Sequence, residues 1–560
     1  MDQIRNVGET CPQDADPGGR THAQFQTFAQ EPRGPGGSDA RRVPCRRARV
    51  GAVRRLPGLR RHIPPSRTVR AVSVRRAAAF RGGSDPLIQR ARVSVVALTL
   101  AKHAPIFVVL LGPPALWALV EAAVPLALSL IIPAVLSLAV FAAVWRRPLP
   151  ADLRGIEAIS SIALVFGLSA VLTMPAFMTL GMPPVDAFFE AMSAATTTGL
   201  SVAADPDSWP FAGHILRAWA QWCGGLVIAT AVLALLLPSG MPARRLGQAG
   251  IDQGDRIAST RRQAQQLLSV YLGLTVAMTA FAALVIPDWR EAVALILAAV
   301  STGGFAPRSD SLASYGALGQ GVVVLAGVLG AVSLLTYVLI LQGKFRDAWT
   351  LGSARRILLA LLAVCTLYAA MLYEGGFRSI SGIYSEILNM VSALTTAGFS
   401  TGPMPPAGAA LLVLVIAMAA GGDIGSTAGG LKLLRLGIVL RAILHAGQKQ
   451  RLPAGALAPL RHAGEPVEAD TLTAILALVG IYLLAMAVLW LHMLGHGHPA
   501  LPALFEVVSA LSTVGLSTGI VGADLSDDLK LSLGFGMWLG RLEFFAVLLL
   551  LAPRTWMSRR

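Results

Sequence analysis

The chain has 560 residues, 54% of them apolar and only 14% charged, with a mean hydropathy of +0.62. Soluble domains carry about 25% charged residues, so this composition excludes an ordinary soluble protein and indicates a polytopic membrane protein. The four cysteines (Cys11, Cys45, Cys223, Cys365) are scattered, and two lie in apolar runs, which excludes a disulfide framework or a thiolate metal centre.

The net charge of +16 is concentrated at one end: residues 1–92 hold 19 Arg, no Lys and 7 acidic residues, and the other 468 residues carry only +4. That segment mixes Arg with Pro, Gly and Ser, has no apolar period and no h-region of a signal peptide, and is expected to be disordered. Its composition fits a polybasic arm for anionic lipid or nucleic acid, or an over-extended start of the reading frame. The absence of Lys favours the second, so no nucleic-acid partner is expected.

From residue 94 onward long apolar stretches alternate with short polar loops. Each is near the roughly 20 residues that a bilayer requires, and ten are predicted: 95–117, 121–144, 156–180, 213–238, 266–287, 319–342, 356–374, 407–440, 471–493 and 529–552. One set of loops holds Arg146, Arg147, Arg154, Arg244, Arg245, Lys344, Arg346, Arg441 and Lys449, and the tail holds Arg554, Arg559 and Arg560. By the positive-inside rule that side and both termini are cytoplasmic. The opposite loops are acidic, with Asp205, Asp207, Asp310, Asp524, Asp527 and Asp528. They form either a cation-attracting rim or an ordinary solvated one.

Four shorter apolar segments lie between the spans on that opposite side. They read DAFFEAMSAATTTGLS (186–201), EAVALILAAVSTGGFA (291–306), SEILNMVSALTTAGFS (385–400) and PALFEVVSALSTVGLS (502–517), and all end in [ST]-T-x-G-[LF]. The organisation is therefore an N-terminal segment 1–92, two additional spans in 93–149, and four repeats of span, re-entrant helix, loop and span. The repeats occupy 150–242, 243–345, 346–462 and 463–560. Pro183, Pro184, an Asp288-x-x-Glu291 capping box, Pro499 and Pro502 open the re-entrant helices. Their C-terminal ends, with partial negative charge, then face the centre.

One T-x-G carries little information, but four in register are more than a small-residue packing seam needs. Non-helical backbone survives at membrane depth only when it lines a cavity or is buried in protein. Four such loops around a pseudo-fourfold axis would aim carbonyls at one point. Burying a bare ion costs on the order of 20 kcal/mol in the idealised Born limit, and a carbonyl ring replaces its hydration shell. The candidate ion-binding residues are Thr197, Thr198 and Gly199; Thr302, Gly303 and Gly304; Thr396, Ala397 and Gly398; and Thr513, Val514 and Gly515.

A second feature is GGDIGSTAGGLK, residues 421–432. Each glycine disfavours helix by about 1 kcal/mol relative to alanine, so the span 407–440 should break here and line a cavity. The residues concerned are Gly421, Gly422, Asp423, Gly425, Ser426, Thr427, Gly429, Gly430 and Lys432. Lys432 fits either a gating role or snorkelling to the interface. Arg541, about ten residues from either end of a span predicted to be continuous, has no such exit. It is expected to hold the glycine segment through loop carbonyls or by pairing with Asp423.

The fourfold motif, the glycine segment and GRLE at 540–543 together resemble the superfamily of Trk, Ktr and HKT potassium transporters over residues 150–552. The two extra N-terminal spans match the Trk type. The resemblance implies an all-α membrane protein in which four span-pore helix-span repeats surround a pseudo-fourfold axis. It implies uptake of potassium, bound at the filter carbonyls, across the bacterial cytoplasmic (inner) membrane. Glycine at the first filter position, Gly199, implies preference for potassium; a sodium-preferring or poorly selective monovalent cation transporter of the same fold is the alternative. It also implies a loop gate at 421–432, a homodimer, and regulation by separate cytosolic nucleotide-binding subunits. Asp423-Ile424 departs from the small residues common there in the family. No organic cofactor is expected, since no G-x-G-x-x-G follows a strand.

Two other classes fit less well. For a membrane-embedded enzyme, His103, His214, His445, His462 and His492 are isolated, and His496-x-His498 lacks a third ligand. An inverted-repeat transporter is at odds with four repeats that all start on one side.

Overall fold

The computed structural model describes residues 90–150, 152–231, 256–350, 353–374, 379–405, 408–453, 458–462 and 465–557. The Arg-rich segment 1–92, apart from its last three residues, lies outside these, as do Arg244, Arg245, Arg559 and Arg560. The described chain is helical apart from loops and a two-residue hairpin, β1 (Arg461–His462) with β2 (Glu465–Pro466).

The first apolar region is α1 (Val93–His103) and α2 (Pro105–Val120), followed by α3 (Val124–Val144). These helices are apolar on nearly every face, as lipid demands. Repeat 1 comprises α4 (Gly155–Thr179), the re-entrant α5 (Pro184–Ala195) and α6 (Phe211–Ala231). Repeat 2 comprises α7 (Arg256–Ala283), re-entrant α8 (Trp289–Val300), then α9 (Ala317–Ala331) and α10 (Leu334–Leu341). After α11 (Phe345–Thr350), repeat 3 has α12 (Ala354–Glu374), re-entrant α13 (Ile380–Thr395), α14 (Ala409–Ala420) and α15 (Leu433–Lys449). Repeat 4 has α16 (Ala469–Gly495), re-entrant α17 (Ala500–Leu511), α18 (Asp527–Arg541) and α19 (Phe545–Leu551), before a short α20 (Pro553–Trp556).

Among the described residues six continuous helical stretches are long and apolar enough to cross a bilayer, or eight if two bent pairs each count once. Of the ten predicted spans, α6 and the interrupted α14–α15 are not in that set. α6 carries His214, Arg217 and Gln221, and residues 421–432 break the other. Two expected continuous spans are also broken. α9 and α10 meet at 86°, and α18 and α19 at 115°. Neither break is caused by proline. At the first, Ser333 N–H donates to Ser353 Oγ (2.7 Å) and Leu334 N–H to the Gly425 carbonyl (3.0 Å), so side chain and loop satisfy donors that a helix would have paired internally. At the second, Glu543 and Phe544 take left-handed φ values of 53° and 64°.

The repeats close into a ring. The second span of each packs on the re-entrant helix of the next: α6 on α8, α9 on α13, α14 on α17, and α18 back on α5. The additional helices lie outside, α2 against α6 and α3 against α4. Arg92, just before α1, is tied to the buried Glu157 of α4 at 2.7 Å.

Candidate functional site

Three of the four re-entrant helices begin as the sequence predicts, though not with a full capping box. Pro184 opens α5 and Pro499 precedes α17. Asp288 caps α8 by accepting from Arg290 N–H (2.9 Å), but Glu291 pairs with Arg308 (3.1 Å) instead of reaching back. Ser379 caps α13.

At their C-terminal ends all four segments turn the same way. Thr197, Thr302, Thr396 and Thr513 have φ of 53°, 54°, 56° and 49°, in the left-handed region that a β-branched residue avoids. Two residues later Gly199, Gly304, Gly398 and Gly515 have φ of 93°, 81°, 75° and 101°. Left-handed residues alternating with an ordinary one turn successive carbonyls toward one side, and four such turns occupy equivalent places. Left-handed threonine costs about 1–2 kcal/mol per residue, and its recurrence in every repeat marks a backbone shape held by its surroundings.

The four turns are also in direct contact. A Cβ on Gly199 would overlap the Gly303 carbonyl oxygen, one on Gly398 the Val514 oxygen, and one on Gly515 the Thr198 oxygen; one on Gly304 would lie 2.9 Å from the Ala397 oxygen. Each glycine therefore abuts the middle residue of the next repeat, and repeat 4 meets repeat 1. All twelve sequence-predicted filter residues are brought together here, and Thr197, Thr302, Thr396 and Thr513 are fully buried.

Buried side chains hold the loops that follow. In repeat 1 Glu190 accepts from Ser201 Oγ (3.0 Å) and pairs with Arg217 (3.2 Å). In repeat 3 Asn389 accepts from Thr401 N–H (2.8 Å), and in repeat 4 Glu506 accepts from Ser517 Oγ and Thr518 N–H (2.9 and 2.7 Å). Repeat 2 has Leu295 in the same register, nine residues before its glycine, and is held from α6 instead. Gln221 Nε2 donates to the Gly303 carbonyl, Gln221 Oε1 accepts from Phe305 N–H (3.3 Å), and Arg217 donates to the Ala306 carbonyl (3.1 Å). Gly303 has no side chain where the Gln221 amide sits.

Residues 421–432 lie directly against the threonines. Gly429 N–H donates to Thr396 Oγ1 (2.8 Å), and Thr427 Oγ1 donates to the Val300 and Gly330 carbonyls (3.0 Å each) and lies 3.3 Å from Thr302 Oγ1. A Cβ on Gly429 would overlap the Ser512 carbonyl and Thr513 Oγ1. One loop thus touches the turns of repeats 2, 3 and 4. Arg541 Nη1 donates to the Thr427 carbonyl at 2.8 Å, matching the first of the two expected arrangements. The second is not found: Asp423 pairs with Arg356 of α12 (Nε to Oδ2 2.8 Å), and Arg541 reaches the Thr427 carbonyl instead. Lys432 does not snorkel; it is buried, with Nζ donating to the Ala428 carbonyl. Arg435 pairs with Glu543 at 2.7 Å, joining α15 to the α18–α19 break.

The TrkH family model, described as cation transport protein, matches residues 156–558. The chain belongs to the TrkH family. It is 29% identical over 434 residues to the Trk system potassium uptake protein TrkI of Halomonas elongata, covering 74% of this chain and 86% of that protein. It is 28% identical over 389 residues to the Trk system potassium uptake protein TrkH of Escherichia coli K12, covering 66% and 79%. The crystal structure of the potassium transporter TrkH from Vibrio parahaemolyticus superposes with a TM-score of 0.73 at 22% identity, over 83% of this chain and 99% of that one, which shows a shared fold.

Within this TrkH-family chain some contacts were not read from the sequence. Gly224, Gly330 and Gly540 follow Gly199, Gly304 and Gly515 by 25, 26 and 25 residues. A Cβ on any of them would overlap the carbonyl of Ala195, Val300 or Leu511 at the end of its own re-entrant helix. That second glycine series was the available signal. On the opposite side Asp186 accepts from Lys530 Nζ (2.6 Å), tying α5 to α18. Asp207 accepts from Ser309 Oγ and N–H (2.6 and 2.8 Å); the hydroxyl contact holds its carboxyl below the usual carboxylate range, and the residue borders a polar cleft of about 530 Å³.

Proposed function

We propose that this chain carries potassium inward across the bacterial cytoplasmic membrane, with the four T-x-G turns as its selectivity filter. The observation that carries this reading is the closed ring in which Gly199, Gly304, Gly398 and Gly515 each abut the next repeat's carbonyl. Such a ring offers oxygens to a dehydrated monovalent cation from four directions. The names of the relatives, potassium uptake proteins, support the choice of ion. Glycine at Gly199 supports potassium over sodium.

In this reading the ion enters from the side of Asp207 and Asp310, sheds water at the filter, and meets the segment Gly421–Lys432 below it. That segment occludes the passage at rest and Arg541 pins it. The Arg-rich loops face the cytoplasm, with both termini. Two copies pair, and separate cytosolic nucleotide-binding subunits act on the cytoplasmic side; the exposed Leu440, Ile443 and Leu444 of α15 leave apolar surface for such contacts. The test is growth of a potassium-uptake-deficient bacterium at low external potassium, with rubidium and sodium uptake measured alongside. Rescue with rubidium uptake exceeding sodium uptake is expected. Failure at normal membrane expression, or sodium exceeding rubidium, would overturn the assignment.

A further inference from the structure

The sequence offers His496 and His498 as a ligand pair lacking a third member, but folding assembles a different set. His492 lies in the last turn of α16 and His496 at its C-cap, four residues on, so both imidazoles project from one face. Asp528, in the first turn of α18, comes against them from repeat 4's other span. Its Oδ2 is 3.1 Å from His492 Nε2 and 2.8 Å from His496 Nε2, and the three donor atoms lie within 4.8 Å of one another.

Two further observations separate this cluster from a surface carboxylate that happens to meet a histidine. The remaining ring nitrogens are both occupied: His492 Nδ1 lies 3.2 Å from Ser532 Oγ and His496 Nδ1 3.5 Å from Ser526 Oγ. Hydroxyl partners there leave both Nε2 atoms for a shared centre, the outer-shell arrangement that orients metal-binding imidazoles. The rings are also edge-on, 76° apart with centroids at 5.2 Å, so the nitrogens approach from different directions instead of lying side by side.

The spacing suits a small tetrahedral ion. Metal–nitrogen and metal–oxygen bonds of about 2.0–2.1 Å around zinc place neighbouring ligands about 3.3 Å apart. The nitrogen–oxygen separations therefore need to widen by only a few tenths of an ångström. Two imidazoles and one carboxylate are a zinc-like donor set, whereas magnesium and calcium require oxygens. The side chains are 37%, 35% and 52% exposed, leaving a fourth position open to water.

We propose that His492, His496 and Asp528 form a transition-metal site, one per chain, that takes zinc or a similar ion and clamps α16 to α18. Its chemistry is separate from the filter, and only its placement on the external side rests on the proposed function. A bound ion would fix the start of the helix that ends in Arg541.

The test uses tag-free full-length protein in detergent, stripped with chelator, then titrated with cobalt(II) under visible spectroscopy and with zinc by calorimetry. Expected are tetrahedral cobalt bands saturating at one equivalent, displacement by zinc but not by magnesium, and a higher melting temperature with zinc. His492→Ala and Asp528→Asn should each weaken zinc binding at least about tenfold, while His498→Gln binds as the parent does. His496→Cys, which retains a metal-ligating atom, should keep one-equivalent binding. No binding by the parent up to about 1 mM, a free energy near −4 kcal/mol, or unchanged affinity in His492→Ala and Asp528→Asn overturns the site. Because the readout is metal binding, it stands or falls independently of ion transport.

Discussion

Replacing Arg541 by methionine keeps most of the side-chain volume beneath the threonine ring and removes its bond to the loop. In the parent, Nη1 donates to the Thr427 carbonyl at 2.8 Å, while Nε and Nη2 have no hydrogen-bond partner and the residue is 3% exposed. A hydrogen bond from a charged donor contributes about 1.5–3 kcal/mol. With RT near 0.59 kcal/mol, its loss shifts the ratio of seated to displaced loop by roughly 10- to 160-fold. The two unpartnered nitrogens already weaken the seated arrangement, so the lower end applies, about tenfold. The assay is rubidium flux into liposomes containing purified protein without any partner subunit. Arg541→Met should conduct about tenfold faster than the parent, and Arg541→Lys should fall between them. If Arg541→Met melts like the parent yet conducts no faster, the loop is packing and not a barrier.

Gly199→Ser places a Cβ over the Gly303 carbonyl oxygen and 3.1 Å from Gly304 Cα at a φ of 93°; about 1.4 kcal/mol lost at this quadrant is tenfold in ion preference, so rubidium-over-sodium flux should drop by about that factor, and an unchanged ratio argues against Gly199 as a filter residue. Gln221→Leu strands the Gly303 carbonyl and the Phe305 amide, each worth about 1–3 kcal/mol when buried and unpaired; flux ratios should show reduced selectivity together with a lower melting temperature. Gly540→Ala overlaps the Leu511 carbonyl and should destabilise by about 3 kcal/mol. Gly534→Ala, on the same helix with nothing within 4 Å, should stabilise by about 0.5–1 kcal/mol. Thermal melts of the two proteins in detergent that failed to separate in this order would contradict the packing described for α18.

The repeats were legible because their signal is local and written four times. Each T-x-G closes a 12- to 16-residue helix, and in three of the four the start is also marked by Pro or Asp. The break at 421–432 was legible because glycine has a strong intrinsic effect on helix. The breaks at 332–333 and 542–544 were not, since Val332, Ser333, Leu542, Glu543 and Phe544 all sit comfortably in helices; tertiary bonds from Ser353, Gly425 and Arg435 stabilise them as bends. For the same reason Arg541 could be recognised as an intramembrane charge that reaches the glycine segment, but not which of its two expected partners it takes. Asp423 was a plausible counter-ion by sequence, and Arg356, 67 residues away, reaches it first. Gln221 was invisible because its role exists only where another repeat lacks a side chain, at Gly303. His492 looked isolated and Asp528 read as one of an acidic rim, because 36 residues of chain separate them.

The ring closes between Gly515 and Thr198, and that has a consequence for biogenesis. Some 316 residues must be added after the first turn is made before its last neighbour exists, and at roughly 5–20 residues per second that takes about 15–60 s. During this interval the left-handed Thr197 and Gly199 are bordered on one side only, and a passage built from the first three repeats has an open quadrant. A chain that stops before the final repeat therefore lacks one side of the ring, and the arrival of that repeat seats Gly515 against the Thr198 carbonyl and closes the open edge.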